Sequence, residues 1–377
     1  VLARAAEGLF SLGQFKRAVD VSASVLARKD ANAQQRSVAN LIKAHSHFDL
    51  AQYEMAETSY LAALNSKQLK ANDIAAVNEK LAASIYKQGE QNVAKNYLPL
   101  AVNDFLRVIA KTPNSEIRVN AQYDAATYLL EMKEWQQGID LFEDFRARFP
   151  KNALTTTIQD KLILAYQQNE NWQQAADELL VLHQTNPESE EGRQALYVAA
   201  QYLHKIDNRS QALDSYRTYA HSYPKPFAEA NEARFIMSEF YLASNEASKR
   251  RFWLNKLIQA DKKAQQSADF QRSNRSRYLA AMASNVFADD KLYAYKKIKL
   301  TQPLKASLAK KKQALNTALN AYNHTLSYKV EEFSTSSNFS IADIYHQLAK
   351  CTKEKLLCEE SQERLATLNL YRISSVE

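Results

Sequence analysis

Four prolines fall at one interval in this chain: Pro113, Pro150, Pro187 and Pro224, each 37 residues after the one before. Other rows keep the step. Ala101, Gly138, Ala175 and Ala212 form one; Phe105, Phe142, Leu179 and Tyr216 a second; Leu98, Trp135, Trp172 and Arg209 a third. Rows in register mean that one supersecondary unit is reused, and such units bury their apolar faces against their neighbours in a stack. The prolines punctuate the stack, because the residue before a proline is pushed out of the helical region. Small residues in the first row suit close helix approach, and large ones in the second fill the space between units.

Composition identifies the unit. Only 5 Gly and 7 Pro occur in 377 residues, too few for the many tight turns of an all-β chain. Ala, Leu, Lys, Gln and Glu dominate, and these are good helix formers. The expected fold is all-α: a superhelical α-α solenoid of about seven helix pairs, with a long-helix C-terminal module. Residues 1–262 form the repeat array and 263–377 a basic module packed on it. No apolar run approaches 18 residues, so no membrane-spanning helix is expected. The chain starts at Val1 without Met and without a leader pattern, which leaves a removed signal or lipid anchor open.

The pattern can be followed along the chain. Residues 1–30 read as a helix pair, with a turn at Leu12-Gly13. A long helix runs from about Asn72 into the mid-90s, and Pro99 suits the first turn of its partner, where a proline loses no intrahelical hydrogen bond. Helices are expected over 115–131, 135–149, 153–167, 172–185, 192–204 and 209–222. A seventh pair spans 227–242 and 247–260. Longer helices follow over 266–288, from about Pro303 to Tyr328, over 331–348 and over 353–370.

The run Leu12-Gly13-Gln14-Phe15-Lys16-Arg17-Ala18 returns as Leu50-Ala51-Gln52-Tyr53-Glu54-Met55-Ala56. It resembles the centre of a tetratricopeptide repeat (TPR), in which a small residue turns between helices, an aromatic follows and a second small residue admits the neighbouring helix. The resemblance covers Val1 to about Ala260, at a period of 37 where about 34 is usual. Units whose second helix ends in Phe-Pro or Tyr-Pro (Phe149-Pro150, Tyr223-Pro224) resemble those of bacterial envelope TPR proteins: outer-membrane assembly lipoproteins and the Tol-associated cell-division coordinator. The block from Arg250-Arg251-Phe252-Trp253 through Glu332-Phe333-Ser334-Thr335 to Tyr345-His346 resembles the C-terminal part of periplasmic TPR proteins that accompany TonB- or gliding-type systems. What this implies is a non-enzymatic scaffold of an envelope complex, periplasmic or outer-membrane-associated, with a cytoplasmic location also compatible. A partner segment would lie on the concave face built from first helices, where Tyr123, Tyr128, Tyr166, Tyr197 and Tyr202 are candidates, several of them destined for the core.

Charge is unevenly spread. The chain carries a formal +7, yet between Lys249 and Lys329 there are 18 Lys or Arg against four acids. An asymmetry of this size concerns partners and not fold. The candidate patch is Arg250, Arg251, Arg272, Arg275, Arg277, Lys296, Lys297, Lys299, Lys305, Lys310, Lys311 and Lys312. It reads as a solvated helix face or as a contact for an acidic or envelope-associated protein. Nucleic acid or another polyanion is the alternative, less favoured because no RRM, KH or helix-turn-helix signature accompanies the lysines.

Nothing points to catalysis, a metal or a cofactor. His45 and His47 are two apart and so lie on different helix faces, and no H-E-x-x-H, C-x-x-C, G-x-G-x-x-G or G-x-x-x-x-G-K occurs. The serines around Ser334, Ser336, Ser337 and Ser340 lack a G-x-S-x-G elbow and read as a cap or loop. Adjacent Glu359 and Glu360 read as solvated surface. Trp135 and Trp172 occupy equivalent positions and read as packing. Cys351 and Cys358 stand about 10 Å apart on a continuous helix, beyond disulfide reach; a turn between them would allow one.

Overall fold

The structure is a computed structural model and describes residues 1–351. The helix expected over 353–370, Glu359 and Glu360, and with Cys358 the bonding of Cys351, lie outside the described residues. The described part is all-α, with no strand, and TPR-like in its succession of helix hairpins. The chain divides into two compact units, Val1–Glu178 and Leu179–Glu377.

Seven helix pairs run in order. They are α1 (Leu2–Ser11) with α2 (Phe15–Ala27), α3 (Ala33–Asp49) with α4 (Tyr53–Asn65), α5 (Ala71–Ala94) with α6 (Leu98–Lys111), and α7 (Ile117–Glu131) with α8 (Trp135–Arg148). Next come α9 (Ile158–Gln168) with α10 (Trp172–Thr185), α11 (Glu190–Lys205) with α12 (Arg209–Ser222), and α13 (Phe227–Ala243) with α14 (Ala247–Gln266). Three long helices close the described chain: α15 (Asn274–Lys297), α16 (Leu304–Leu326) and α17 (Glu331–Cys351).

The period of the sequence is visible in these bounds. Leu98, Trp135, Trp172 and Arg209 are the first residues of α6, α8, α10 and α12, and each of these helices ends two residues before its proline. Ala101, Ala175 and Ala212 are fully buried, as is Phe142, and Phe105, Tyr216 and Leu179 are buried beside them. Gly138 is required by contact: a Cβ there would stand 2.4 Å from Leu130 Cδ2 and 3.3 Å from the carbonyl oxygen of Ala126.

Inside every hairpin the turn is the same. The residue after the cap takes a left-handed backbone: Gly13 (φ 70°), Ala51 (56°), Asn96 (60°), Lys133 (65°), Glu170 (58°), Asp207 (57°) and Asn245 (57°). The next residue donates its backbone N–H to the carbonyl five residues back, as in Gln14 to Leu9, Gln52 to His47, Glu134 to Leu129 and Asn208 to Leu203, at 2.8–2.9 Å. This is a Schellman cap, which satisfies carbonyls left open at a helix end. Only the first of the seven uses glycine, the residue that adopts this conformation without a steric penalty.

Three readings differ from the sequence expectation: Ser334, Ser336, Ser337 and Ser340 lie inside α17 and form neither a cap nor a loop, and two helices start late. The helix expected from 153 opens as a 3₁₀ turn, Ala153–Thr157, and becomes α-helical only at Ile158. Its three consecutive threonines bond the backbone locally, Thr155 to the carbonyl of Phe149, Thr156 to Ala153 and Thr157 to Leu154, and such bonds compete with the α-helical ladder. The helix expected over 266–288 begins instead at Asn274 and runs to Lys297. Ser273 starts it with a capping box to Ser276, and α14 has already run on to Gln266.

In the first unit, Tyr60, Leu81, Ile85, Phe105 and Val108 belong to one buried cluster. Above it sits a buried carboxylate. Glu57 of α4 accepts from Gln88 of α5 at 2.8 Å and from Lys111 of α6 at 2.9 Å, and Arg107 of α6 grips both its oxygens. Burial by itself raises the Glu57 pKa; the bonds from Arg107, Gln88 and Lys111 outweigh it and hold the carboxyl below its usual range. In the second unit, Leu254 and Leu257 of α14 pack with Leu279 and Ala283 of α15. Tyr295, Leu315, Leu319, Tyr322 and Ile344 join α15, α16 and α17.

Candidate partner-binding site

The five tyrosines divide by burial. Tyr166 and Tyr197 are buried, and Tyr123, Tyr128 and Tyr202 are half-buried. Tyr166 donates to Glu143 at 2.5 Å, and Tyr197 lies 4.9 Å, centroid to centroid, from Tyr219. Both are parts of the core, fixed by neighbours on α8 and α12, and present no ring to a partner. Tyr123 on α7 packs edge-on against Phe142 and Phe145 at 5.6 and 5.9 Å, its hydroxyl meets Thr157 at 2.7 Å, and Lys161 lies over its ring at 5.7 Å. Tyr128 stacks on Phe105 at 6.1 Å and 13°. Burial raises the pKa of Tyr128 and of Tyr202, so both stay neutral hydroxyls at any physiological pH.

A tyrosine tie that the sequence did not single out recurs through the chain. Tyr86 donates to Asp124 at 2.5 Å across two hairpins, and Tyr322 to Asp289 at 2.6 Å. Tyr219 donates to Glu229, which also receives Arg193 at 2.7 Å. In each case burial is the first cause that raises the phenol pKa, with the carboxylate adding to it. Many of the 20 tyrosines thus serve as apolar rings with a polar tip that finds a partner. The only hint in sequence was their abundance.

The basic patch is not one surface of free charge. Arg251 forms a double hydrogen bond with Asp290, both contacts at 2.8 Å. Arg275 grips Glu232 and lies over the rings of Phe235 and Tyr278 at 5.1 and 5.6 Å. Arg272 holds Asp261, a carboxylate with no exposed surface, at 2.8 and 2.9 Å. Lys296 pairs with Asp343 at 2.9 Å. Lys311 is buried, donates to the Ile298 carbonyl at 2.9 Å and lies 4.9 Å above the ring of Tyr295. Arg277 donates to Asn274, and Lys297 covers Tyr293 at 4.3 Å. Arg250 is half-buried beside the Arg251–Asp290 pair. Lys299, Lys305, Lys310 and Lys312 are exposed and form no ion pair among the described residues.

The histidines are structural where the structure gives them partners. His45 meets the Tyr60 hydroxyl at 2.7 Å and His47 the Gln52 side chain at 2.7 Å. Among the described residues no group of three His, Cys, Asp or Glu is placed to hold a metal ion, and no helix is long and apolar enough to cross a membrane.

No protein-family model matches the chain, and no curated protein matches it. Solved structures to which it is similar are helical-repeat proteins. The C-terminal part of a TPR repeat-containing protein from Cytophaga hutchinsonii shares 16% identity over 69% of this chain and 95% of that one, at a TM-score of 0.28. A tetratricopeptide repeat protein from Parabacteroides merdae shares 11% over 81% and 98%, at 0.27. The TPR domain of P58(IPK) shares 11% over 98% of each chain, at 0.24. These scores carry no argument by themselves, and the hairpin architecture rests on the seven equivalent turns and the 37-residue spacing of helix starts in this chain.

Proposed function

We propose that this chain is a non-enzymatic scaffold that docks segments of other proteins on the first helices of its hairpins. The observation that supports it most is the repeated hairpin itself. Identical turns place successive helices side by side, and a stack of this kind offers an extended surface and no enclosed reaction chamber. Tyr123, Tyr128 and Tyr202 are the contact residues in this reading: all three are half-buried, and the rings of Tyr123 and Tyr128 are held by packing, which limits the entropy lost on binding. Residues 1–262 supply the array and 263–377 the basic module. The envelope setting rests on the Phe-Pro and Tyr-Pro ends of α8 and α12 and is part of the proposal.

Photo-crosslinking tests it. A benzophenone amino acid placed at 123, 128 or 202 in the native host is expected to give discrete protein adducts, whereas the same probe at the exposed positions 137 and 174 is not. Equal labelling at all positions, or none, overturns the assignment. Cell fractionation of the same strain decides the compartment.

A second reading, polyanion binding, is favoured by the four exposed lysines Lys299, Lys305, Lys310 and Lys312. Phosphate contacts lose affinity steeply with salt. Oligonucleotide binding that is insensitive to salt, or absent at 50 mM, removes this reading.

A further inference from the structure

A recess of about 280 Å³ lies in the second unit between the end of α12, the start of α13, and α14. Its walls are apolar and aromatic: Trp253 and Phe227 are both buried, and Phe270 lies 5.6 Å from Phe227. Three cations, Arg234, Lys256 and Lys263, line it together with His221 and Gln259, and no acidic side chain does.

Arg234 is the unusual group. It is half-buried on α13, donates to Asn231 Oδ1 at 2.8 Å and approaches the Ala220 carbonyl at 3.5 Å, and it forms no ion pair among the described residues. Burial alone pushes its guanidinium below the usual arginine value. Of the carboxylates on the same two helices, Glu229 pairs with Arg193, Glu232 with Arg275 and Asp261 with Arg272, and Glu239 is not part of the recess lining. A guanidinium taken out of water normally finds an anion. Here the protein leaves it facing a recess that more cations surround.

The recess continues onto an exposed stripe. Phe252, Lys256, Gln259 and Lys263 are spaced four, three and four residues apart and so share one face of α14. Phe252 is 48% exposed, and Lys256 lies over its ring at 5.3 Å.

We propose that the recess and this stripe form a docking site for an acidic segment of a partner protein, with one carboxylate seated against Arg234 and a neighbouring apolar side chain against Phe252 and the mouth of the aromatic wall. This rests on the scaffold reading and names the chemistry of the partner. Charge complementarity selects an anion, since the recess has cations and no acid of its own. The single recess beside an exposed phenyl ring favours a carboxylate flanked by an apolar residue over a nucleic-acid backbone, which needs a track of several phosphate contacts.

The test is a selection of random dodecapeptides displayed on phage against the full chain, followed by fluorescence anisotropy with the selected peptides carrying fluorescein. Enrichment of Asp or Glu beside Leu, Phe or Trp is expected. Affinity should fall at least tenfold in Arg234→Met and in the double variant Lys256→Glu/Lys263→Glu, and stay unchanged in Lys310→Glu. The two rim lysines are exposed, so the double variant keeps its fold, as thermal unfolding will verify. Peptides without acid enrichment, or affinities equal in all variants, overturn the docking site and leave the scaffold reading standing. Selection that yields no peptide overturns it too, and the crosslinks at 123, 128 and 202 then judge the scaffold reading separately. If inorganic phosphate changes tryptophan fluorescence saturably through Arg234 while no acidic peptide binds, the recess is a small-anion site and the proposal falls. A labelled oligonucleotide that binds and is lost in the same variants also overturns it.

Discussion

The hairpins from α5 to α12 and the segment from α14 onward reach stability by different means. In the hairpins, helices stop at a backbone cap and pack through alternating small and large side chains, so that shape and backbone geometry set the arrangement. From α14 onward the helices run to 20 residues or more, a length that α5 alone reaches among those hairpins. There carboxylate–guanidinium pairs such as Asp261–Arg272 and Arg251–Asp290 tie one element to the next, as Arg146–Glu178 does between α8 and α10. A repeating part can rely on local rules, because each junction copies the last. A part that does not repeat needs pairs that fix one unique arrangement.

The largest effect should come from the shape-determined part. Phe142→Ala empties a fully buried site and is expected to cost about 4 kcal/mol, measured by urea unfolding. A cost below about 1 kcal/mol would break the view that packing dominates there. In the charge-tied part, Asp261→Ala leaves Arg272 without its partner and should cost about 3 kcal/mol, while Asp261→Leu/Arg272→Met should recover most of it, because replacing both members of a buried pair is often nearly neutral. Equal losses in the single and double variants would show that shape rules this part also.

Glu57 tests the border between the two modes, since it is a charge cluster inside the hairpins. Glu57→Gln is expected to cost about 2 kcal/mol at pH 7. Because the folded-state pKa lies below the usual 4.5, the carboxylate contributes in full above that pH, and its contribution is lost as pH falls through the folded value. The wild-type protein should therefore destabilise more steeply than the glutamine variant on going from pH 6 to pH 3, as followed by circular dichroism. Parallel curves would deny the cluster its role. The smallest effect is a gain: Lys133→Gly relieves a left-handed residue (φ 65°) and should stabilise by about 1 kcal/mol. A loss would mean that the side chain contributes more than the turn does.

How much of this was legible in the sequence follows from the same contrast. The prolines, the aromatic row and the small-residue row are side-chain facts, and they marked the helix starts at Leu98, Trp135, Trp172 and Arg209 and, to within one residue, the ends before each proline. The left-handed backbone was hidden at Lys133 and Glu170, which carry no marker for it, whereas Gly13, Asn96, Asp207 and Asn245 are residue types that adopt it and Ala51 was marked only as the small residue of a turn. Tyr166 and Tyr197 were indistinguishable from Tyr123 and Tyr128, since first helices are flanked by neighbours and the period does not say which ring is covered. The basic patch was read from local density, whereas the acids that consume it lie far along the chain: Arg251 and Asp290 are 39 residues apart, Arg275 and Glu232 are 43. Arg234 was missed for the opposite reason. It stands alone in sequence, and only folding surrounds it with His221, Lys256 and Lys263.

The seven equal turns have a consequence for how such a chain changes length. Each turn is closed by backbone bonds between residues no more than five apart, so a hairpin carries its own joint wherever it is placed. Growth or loss of the array then proceeds in whole steps of about 37 residues, with the helix starts kept in phase. The longer step from Ala51 to Asn96, 96 − 51 = 45 residues, is taken up by the 24-residue α5. A gene encoding this protein is in that sense ruled like a measuring tape, and duplication by the ruled unit alters its reach while leaving every joint intact.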